Sequence, residues 1–255
     1  MIALVNLWGC NVAKDIKPTE ELISAVFSDL VDRLSINTTN NRTCVIVCGI
    51  SGSGKSTAIQ KITEELPSMK LLPIQPDNYR KLHPKINQYI EQYGKDEAHK
   101  KTGNFSNRMA LSILDKAIEN QLNVVYESTF NTRENADLII SKFIENGYNV
   151  NVIALPTDVE KSIRRNQKRY DEKRFSENTL PRIVEADVIY KMAENLGKTL
   201  DFVSQEYQGK VRVFNVQDTN ETIHILTKLR FNMFLNKKSS QQQAQSQKQN
   251  NGMKL

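Results

Sequence analysis

Residues 48–57 read CGISGSGKST, and the interpretation of the whole chain starts from them. Gly49, Gly54, Lys55 and Ser56 satisfy the spacing G-x-x-x-x-G-K-[ST]. The apolar run TCVIVCG at 43–49 leads into the stretch and a helical pattern follows from Lys55. A strand, a glycine-rich loop and a helix N-terminus in that order aim backbone N–H groups at one anion, and the glycines let the backbone wrap closely around phosphate. Gly49, Ser51, Gly52, Ser53, Gly54, Lys55, Ser56 and Thr57 are therefore the expected nucleotide-binding residues. Lys55 would meet the β- and γ-phosphates of ATP or GTP, and the Ser56 hydroxyl suits Mg2+ bridging the same two groups. Thr57 either contacts the α-phosphate or simply begins the helix.

Outward from this loop, short β-rich runs alternate with helical patterns. Strands are predicted in TCVIVCG, KLLPIQ, LNVVYES, YNVNVIALP and VRVFNV, with helices starting at Lys55, near Ser106, near Arg133 and near Asp158, and another over Pro181 to Leu196. Pro67, Gly147 and Gly197 stand where helices are expected to stop. Such alternation predicts an α/β fold of the P-loop NTPase or kinase type, three layers α/β/α around a mostly parallel sheet of five to six strands.

The domain expectation is an N-terminal extension at 1–42, a kinase-like domain at 43–235 with a helical lid at about 157–185, and a disordered polar tail at 236–255. Within the extension, Leu22, Ile23, Val26, Phe27, Leu30, Val31 and Leu34 recur at helical spacing, which predicts an amphipathic helix packed on the domain, with a partner-binding stripe as the alternative. The tail is Gln, Ser, Asn and Lys with almost nothing to bury.

Composition sets bounds on function. The formal charge is +6, but residues 159–174 carry a local excess of four positive charges and the tail from 237 adds four lysines, which leaves the remaining chain slightly acidic. That distribution argues against a nucleic-acid partner. No apolar run approaches the ~20 residues of a bilayer span. Three cysteines, with Cys44 and Cys48 on one face of an apolar strand, read as buried thiols, and the expected setting is the reducing cytoplasm.

In a parallel sheet the other strand ends face the same crevice as the loop. The second strand runs out at QPDNYRKLHP, which brings Asp77 beside the phosphates as a candidate acceptor of a proton from an attacking hydroxyl; a plain turn-forming Asp in Pro-Asp-Asn is the alternative. The third ends at YEST, where Glu127 and Thr129 would serve Mg2+-bound water or the acceptor's hydroxyls; a merely solvated strand end is the alternative. The basic stretch with Arg164, Arg165, Lys168, Arg169, Lys173 and Arg174 has the composition of a lid over the γ-phosphate, or of a solvated face.

With the loop, PDNYRKLHP, NFSNRM, YEST and a two-arginine lid in this order, the stretch from Thr43 to Asn215 resembles the zeta-toxin family of bacterial UDP-N-acetylglucosamine kinases. The resemblance implies that Asp77 is the general base for the 3′-hydroxyl of the amino sugar, that Lys55 binds the γ-phosphate, and that Arg169 in KRYD and Arg182 in LPRI steady the transferring group. It places Asn107, Arg108, Glu127 and Thr129 at the nucleotide sugar. It also implies a small helical antitoxin as partner and depletion of cell-wall precursors as the toxic outcome. Asn131 stands where relatives often carry arginine in Glu-x-Thr-x-Arg, and Arg133 lies two residues later. Two other readings stand beside this one: a kinase for another hydroxyl acceptor, such as a polynucleotide 5′-end or an antibiotic, and a nucleotide-gated binding module without phosphoryl transfer.

Overall fold

The computed structural model describes residues 16–36, 38, 42–176, 180–218 and 220–230. The polar tail, the apolar N-terminal stretch and Cys10 lie outside these residues. Helix α1 (Glu20–Leu34) is capped by Thr19, whose hydroxyl accepts from the Leu22 N–H, with Glu20 and Glu21 favourably placed in its first turn. Next come β1 (Thr43–Cys48), α2 (Lys55–Glu65), β2 (Leu71–Ile74), a 3-10 segment (Pro76–Leu82), α3 (Ile86–Lys101) and α4 (Gly103–Glu119). The chain continues through β3 (Asn123–Ser128), α5 (Arg133–Glu145), β4 (Asn149–Ala154), α6 (Val159–Lys173), α7 (Ala186–Glu206) and β5 (Val211–Asn215), and then a helix α8 over 220–230.

The five strands form one sheet in the order β2-β3-β1-β4-β5, and each neighbouring pair is parallel. Successive side chains of a strand point to opposite faces, and here both faces are covered. Cys44, Ile46 and Cys48 of β1 join a core made with α1, α4, α5 and α7. Val45 and Val47 join a second core with Ala58, Ile59 and Ile62 of α2 and Leu226 of α8. The result is a three-layer α/β/α fold. Ile23 of α1 is buried, and Val26, Phe27 and Leu30 pack against the first core, as the helical spacing predicts.

Two expectations are corrected. Gly197 does not end a helix: α7 runs from Ala186 through it to Glu206, and the glycine borders open space, so a missing side chain costs no packing there. The region before Ser106 holds a long helix, α3, that the sequence reading lacks. Its polar composition hides the period, and Gly94 at φ 78 and ψ 170 breaks its backbone into two arms. Among the described residues no helix is long and apolar enough to cross a membrane.

Candidate active site

Register fixes where the strand ends lie. Cys48 pairs with Ser128 of β3 and with Ala154 of β4, while Ile74 of β2 pairs with Tyr126, so the segments leaving β1, β2, β3 and β4 open at one edge of the sheet. The glycine-rich loop sits at its centre. Gly54 caps α2 at φ 99, and Gly52 lies at φ 85, left-handed values that glycine adopts without strain. A Cβ on Gly52 would come within 2.5 Å of the Ser162 carbonyl oxygen on α6, so the absence of a side chain also lets the lid approach.

Lys55 is buried at 7% exposure, and its Nζ donates to the carbonyls of Gly49 at 3.0 Å and Ile50 at 2.9 Å. Burial lowers its pKa, and the Glu127 carboxylate opposes that shift. The Ser53 hydroxyl oxygen in the same loop is buried with no hydrogen-bond partner. An orphaned polar atom and a buried ammonium folded onto its own loop both fit an incoming anion.

Asp77 stands in the first turn of the 3-10 segment behind Pro76, as its sequence predicts. Arg80 Nε donates to Asp77 Oδ1 at 2.7 Å, and Arg182 Nη2 lies 3.9 Å from Oδ2. Burial pushes the Asp77 carboxyl up, but Arg182 and Arg80 together outweigh it and hold the group below the usual carboxylate range. Asp77 and Lys55 line the same two cavities, one over the loop and one under β3.

Glu127 leaves β3 between two donors: Gln75 Nε2 at 2.7 Å and Ser56 Oγ at 3.1 Å both meet its Oε2. Thr129 follows, and the chain then turns sharply at Phe130, which is fully buried at φ 46 with its N–H donating to Ser128 Oγ. A non-glycine residue in this conformation is strained, and here it sets the strand end against the cavity.

One side of α6 faces the glycine-rich loop. Asn166, 1% exposed, accepts from Ser51 Oγ at 2.9 Å and from Arg169 Nη2 at 2.7 Å through its Oδ1, and its Nδ2 donates to the Ser51 carbonyl. Arg165, Arg169, Lys173 and Arg182 line the loop cavity. Arg169 is partly buried, and burial followed by the adjacent Arg182 guanidinium lowers its pKa. A bound phosphate would relieve this crowding of cations. Arg164 and Lys168 line a separate shallow surface of α6, and Arg174 sits over the Phe175 ring, so these three belong to the solvated face.

Of the remaining sequence candidates, Asn107 and Thr129 line the cavity under β3 with Glu127. Arg108 is exposed on α4 and is not among that cavity's walls. Asn131 accepts from Asn195 of α7 at 3.2 Å, and Arg133 lies over the Phe202 ring at 5.8 Å, so both side chains are engaged by α7. Sequence reasoning missed Arg80, Gln75, Asn166 and Asn135, the last of which also lines the cavity under β3. The i, i+3 spacing of Asp77 and Arg80 is a signal that could have found the first.

Comparison with known proteins bears on the family and the fold. The sequence model of the family described as Zeta toxin matches residues 29–228. Toxin PezT of Streptococcus pneumoniae is 29% identical over 132 residues, half of each protein, so the chain spans about half the length of this curated relative. A chain from the PezAT chromosomal toxin–antitoxin system of Streptococcus pneumoniae superposes with a TM-score of 0.63 at 18% identity, covering 78% of both chains. A chain of the AvrRxo1-ORF1:-ORF2 structure with ATP gives a TM-score of 0.53 at 12% identity, over 77% of this chain and 62% of that one. At these identities the two structures attest the fold alone. The family match runs from within α1 into α8 and takes in every strand and every residue placed in the cleft above, so the chain belongs to the zeta toxin family.

Proposed function

We propose that the protein is a phosphotransferase that moves the γ-phosphoryl of ATP or GTP to the 3′-hydroxyl of the amino sugar of UDP-N-acetylglucosamine. The observation that carries this reading is the shared setting of Asp77 and Lys55: a carboxylate and a buried ammonium open into the same cavities with Arg182 beside them. Lys55 would leave the carbonyls of Gly49 and Ile50 for the nucleotide's phosphates. The acceptor hydroxyl, hydrogen-bonded to Asp77, forms a bond to the γ-phosphorus as the bond from phosphorus to the β-phosphate bridging oxygen breaks, and its proton passes to Asp77. A carboxylate held ionised suffices, because a loose transition state gains more from positioning and charge compensation than from basicity. Arg169 and Arg182 neutralise charge on the transferring group.

Hard oxygen donors fit Mg2+, and Ser56 Oγ and Glu127 Oε2 face the loop cavity 3.1 Å apart. These two would hold the ion, which supplies charge neutralisation between the β- and γ-phosphates. Asn107, Glu127 and Thr129 would bind the sugar. The names of the relatives, Toxin PezT and a PezAT toxin–antitoxin system, support proposing that the protein acts as a toxin controlled by an antitoxin partner; blocking of cell-wall precursor supply follows from the proposed acceptor.

The test is incubation of purified protein with ATP, Mg2+ and a panel of sugar nucleotides, with products weighed by mass spectrometry. The expected result is a gain of one phosphate on UDP-N-acetylglucosamine, reduced at least ~100-fold in Asp77→Asn while nucleotide binding persists. ATP binding without acceptor-dependent ADP release would defeat the reading.

A further inference from the structure

Helix α6 is anchored twice near the glycine-rich loop. Asn166 ties it to Ser51, and one turn on, the Tyr170 hydroxyl donates to Asp96 Oδ2 of α3 at 2.8 Å. A second bond between the same two segments runs the other way: Lys95 Nζ donates at 2.6 Å to the carbonyl of Ser176, just past the end of α6. Lys95 and Asp96 open the second arm of α3, residues 95–101, directly after the backbone break at Gly94. At the far end of that arm the Lys101 ammonium lies 4.5 Å from the centre of the Tyr93 ring, so the arm is tied back to the first one as well.

The same short arm reaches the other side of the cleft. The His99 carbonyl accepts from Arg80 Nη1, and Arg80 Nε donates to Asp77 Oδ1. One helical segment therefore touches both α6 and the arginine that holds Asp77. Its connection to α6 depends heavily on one side chain. Asp96 Oδ1 is buried with no hydrogen-bond partner among the described residues, so the hydrogen bonding of this carboxylate rests on the Tyr170 hydroxyl. A charged acceptor that loses its donor at a helix–helix seam costs more than a neutral one. Asn166, Arg169 and Tyr170 are three and four positions apart or adjacent and share one side of α6. Arg169, which donates to Asn166 Oδ1 and lines the loop cavity, is thus bracketed by the two anchors.

We propose that Tyr170 and Asp96 are positioning residues for the reaction: their hydrogen bond pins the C-terminal half of α6 to the second arm of α3 and so holds Arg169 over the phosphates, at a fixed spacing from Asp77. The inference rests on the phosphotransferase reading above and adds to it a connection between the cation of α6 and the base.

The test reads the anchor with and without turnover. Release of a fluorescent ATP analogue from the full chain is followed by stopped flow, and phosphorylation of UDP-N-acetylglucosamine is followed separately. Tyr170→Phe is expected to speed release about tenfold and to lower kcat about tenfold, as loss of one hydrogen bond to a charged group predicts, with KM for the sugar nucleotide unchanged. Asp96→Asn, which keeps an acceptor oxygen, should stay close to the wild type. Asp96→Ala should match Tyr170→Phe, and the two together should cost no more than either alone. In an Arg169→Ala background Tyr170→Phe should lower kcat no further, which a merely structural tyrosine would not produce. Tyr190→Phe is the control, because Tyr190 donates to Glu160 at the opposite end of α6 from Tyr170, and its loss should leave both rates as they are. Unchanged release and turnover in Tyr170→Phe, or an undiminished loss in the Arg169→Ala background, would overturn the proposal. Faster release from Tyr170→Phe in a protein that forms no phosphorylated product would instead overturn the phosphotransferase reading and leave the anchor standing.

Discussion

Arg80 ties Asp77 to the neighbouring helix: its Nε donates to Asp77 Oδ1 at 2.7 Å while its Nη1 donates to the His99 carbonyl at 2.6 Å. Arg80 is 8% exposed, so its bond to the His99 carbonyl forms where water competes poorly and anchors the guanidinium, which in turn directs the half-exposed Asp77 carboxylate. Removing Arg80 therefore takes away two things at once, an orientation and a stabilising cation. Arg80→Ala is expected to lower kcat by about 10- to 100-fold, with nucleotide affinity unchanged. Because Arg80 helps hold the Asp77 pKa down, its loss also moves the acid limb of the pH–rate profile toward higher pH. Arg80→Lys, which restores charge without the fork, should recover the pH limb but not the full rate.

Gly52→Ala is expected to loosen the lid. The added methyl would meet the Ser162 carbonyl at 2.5 Å and Asn166 Nδ2 at 2.6 Å, and the backbone there is already at φ 85. A loss of about 1–3 kcal/mol in thermal or denaturant unfolding should accompany weaker ATP binding. Gly94→Ala is the control, since Gly94 has a similar φ of 78 and nothing within 4 Å. It should cost stability through the backbone alone and spare nucleotide affinity.

Glu127→Gln should raise the Mg2+ concentration needed for nucleotide binding by about 10- to 100-fold. A fluorescent ATP analogue titrated with Mg2+ reads this directly. An unchanged Mg2+ titration with a raised acceptor KM would assign Glu127 to the sugar alone.

Acid should destabilise the protein through His99 before it acts on the carboxylates. Burial, with Arg80 adding repulsion, pushes this histidine down to about 4. Its unfolded form takes up a proton near pH 6.5, so folding stability is full above that value and declines as pH falls toward 4, by at most about 3 kcal/mol. Carboxylates held low, Asp77 among them, contribute above their unfolded values and lose that contribution only at lower pH. Chemical denaturation at pH 7, 6 and 5 should show the slope, and His99→Gln should flatten it.

The parts of this structure that were legible in the sequence share a property: they are encoded locally. The strands are short apolar runs, four of them buried along most of their length, and the phosphate loop needs glycine at fixed offsets within ten residues. Asp77 was legible because Pro76 fixes the turn that presents it. What escaped depends on segments remote in sequence. Asn166 meets Ser51 across 115 positions, and the Arg80 partner on α3 is a backbone carbonyl, which no side-chain pattern announces. Arg108 shows the reverse: a residue matching a motif was expected at the sugar, and the turn of α4 leaves it exposed and out of the cavity wall. Gly197 was misread because one glycine inside a helix costs only about 1 kcal/mol, which the packing of a 21-residue helix absorbs.

The two thiols of β1 have a practical use. Cys44 and Cys48 are fully buried, and burial raises both pKa values, that of Cys48 to about 12, so neither reacts with an alkylating agent while the central strand is paired. Their modification requires the strand that leads into the glycine-rich loop to come undone, which makes labelling speed a clock for the opening of the innermost layer. Ligands that grip the loop should slow that clock in proportion to how tightly they bind, without any turnover being needed to see them.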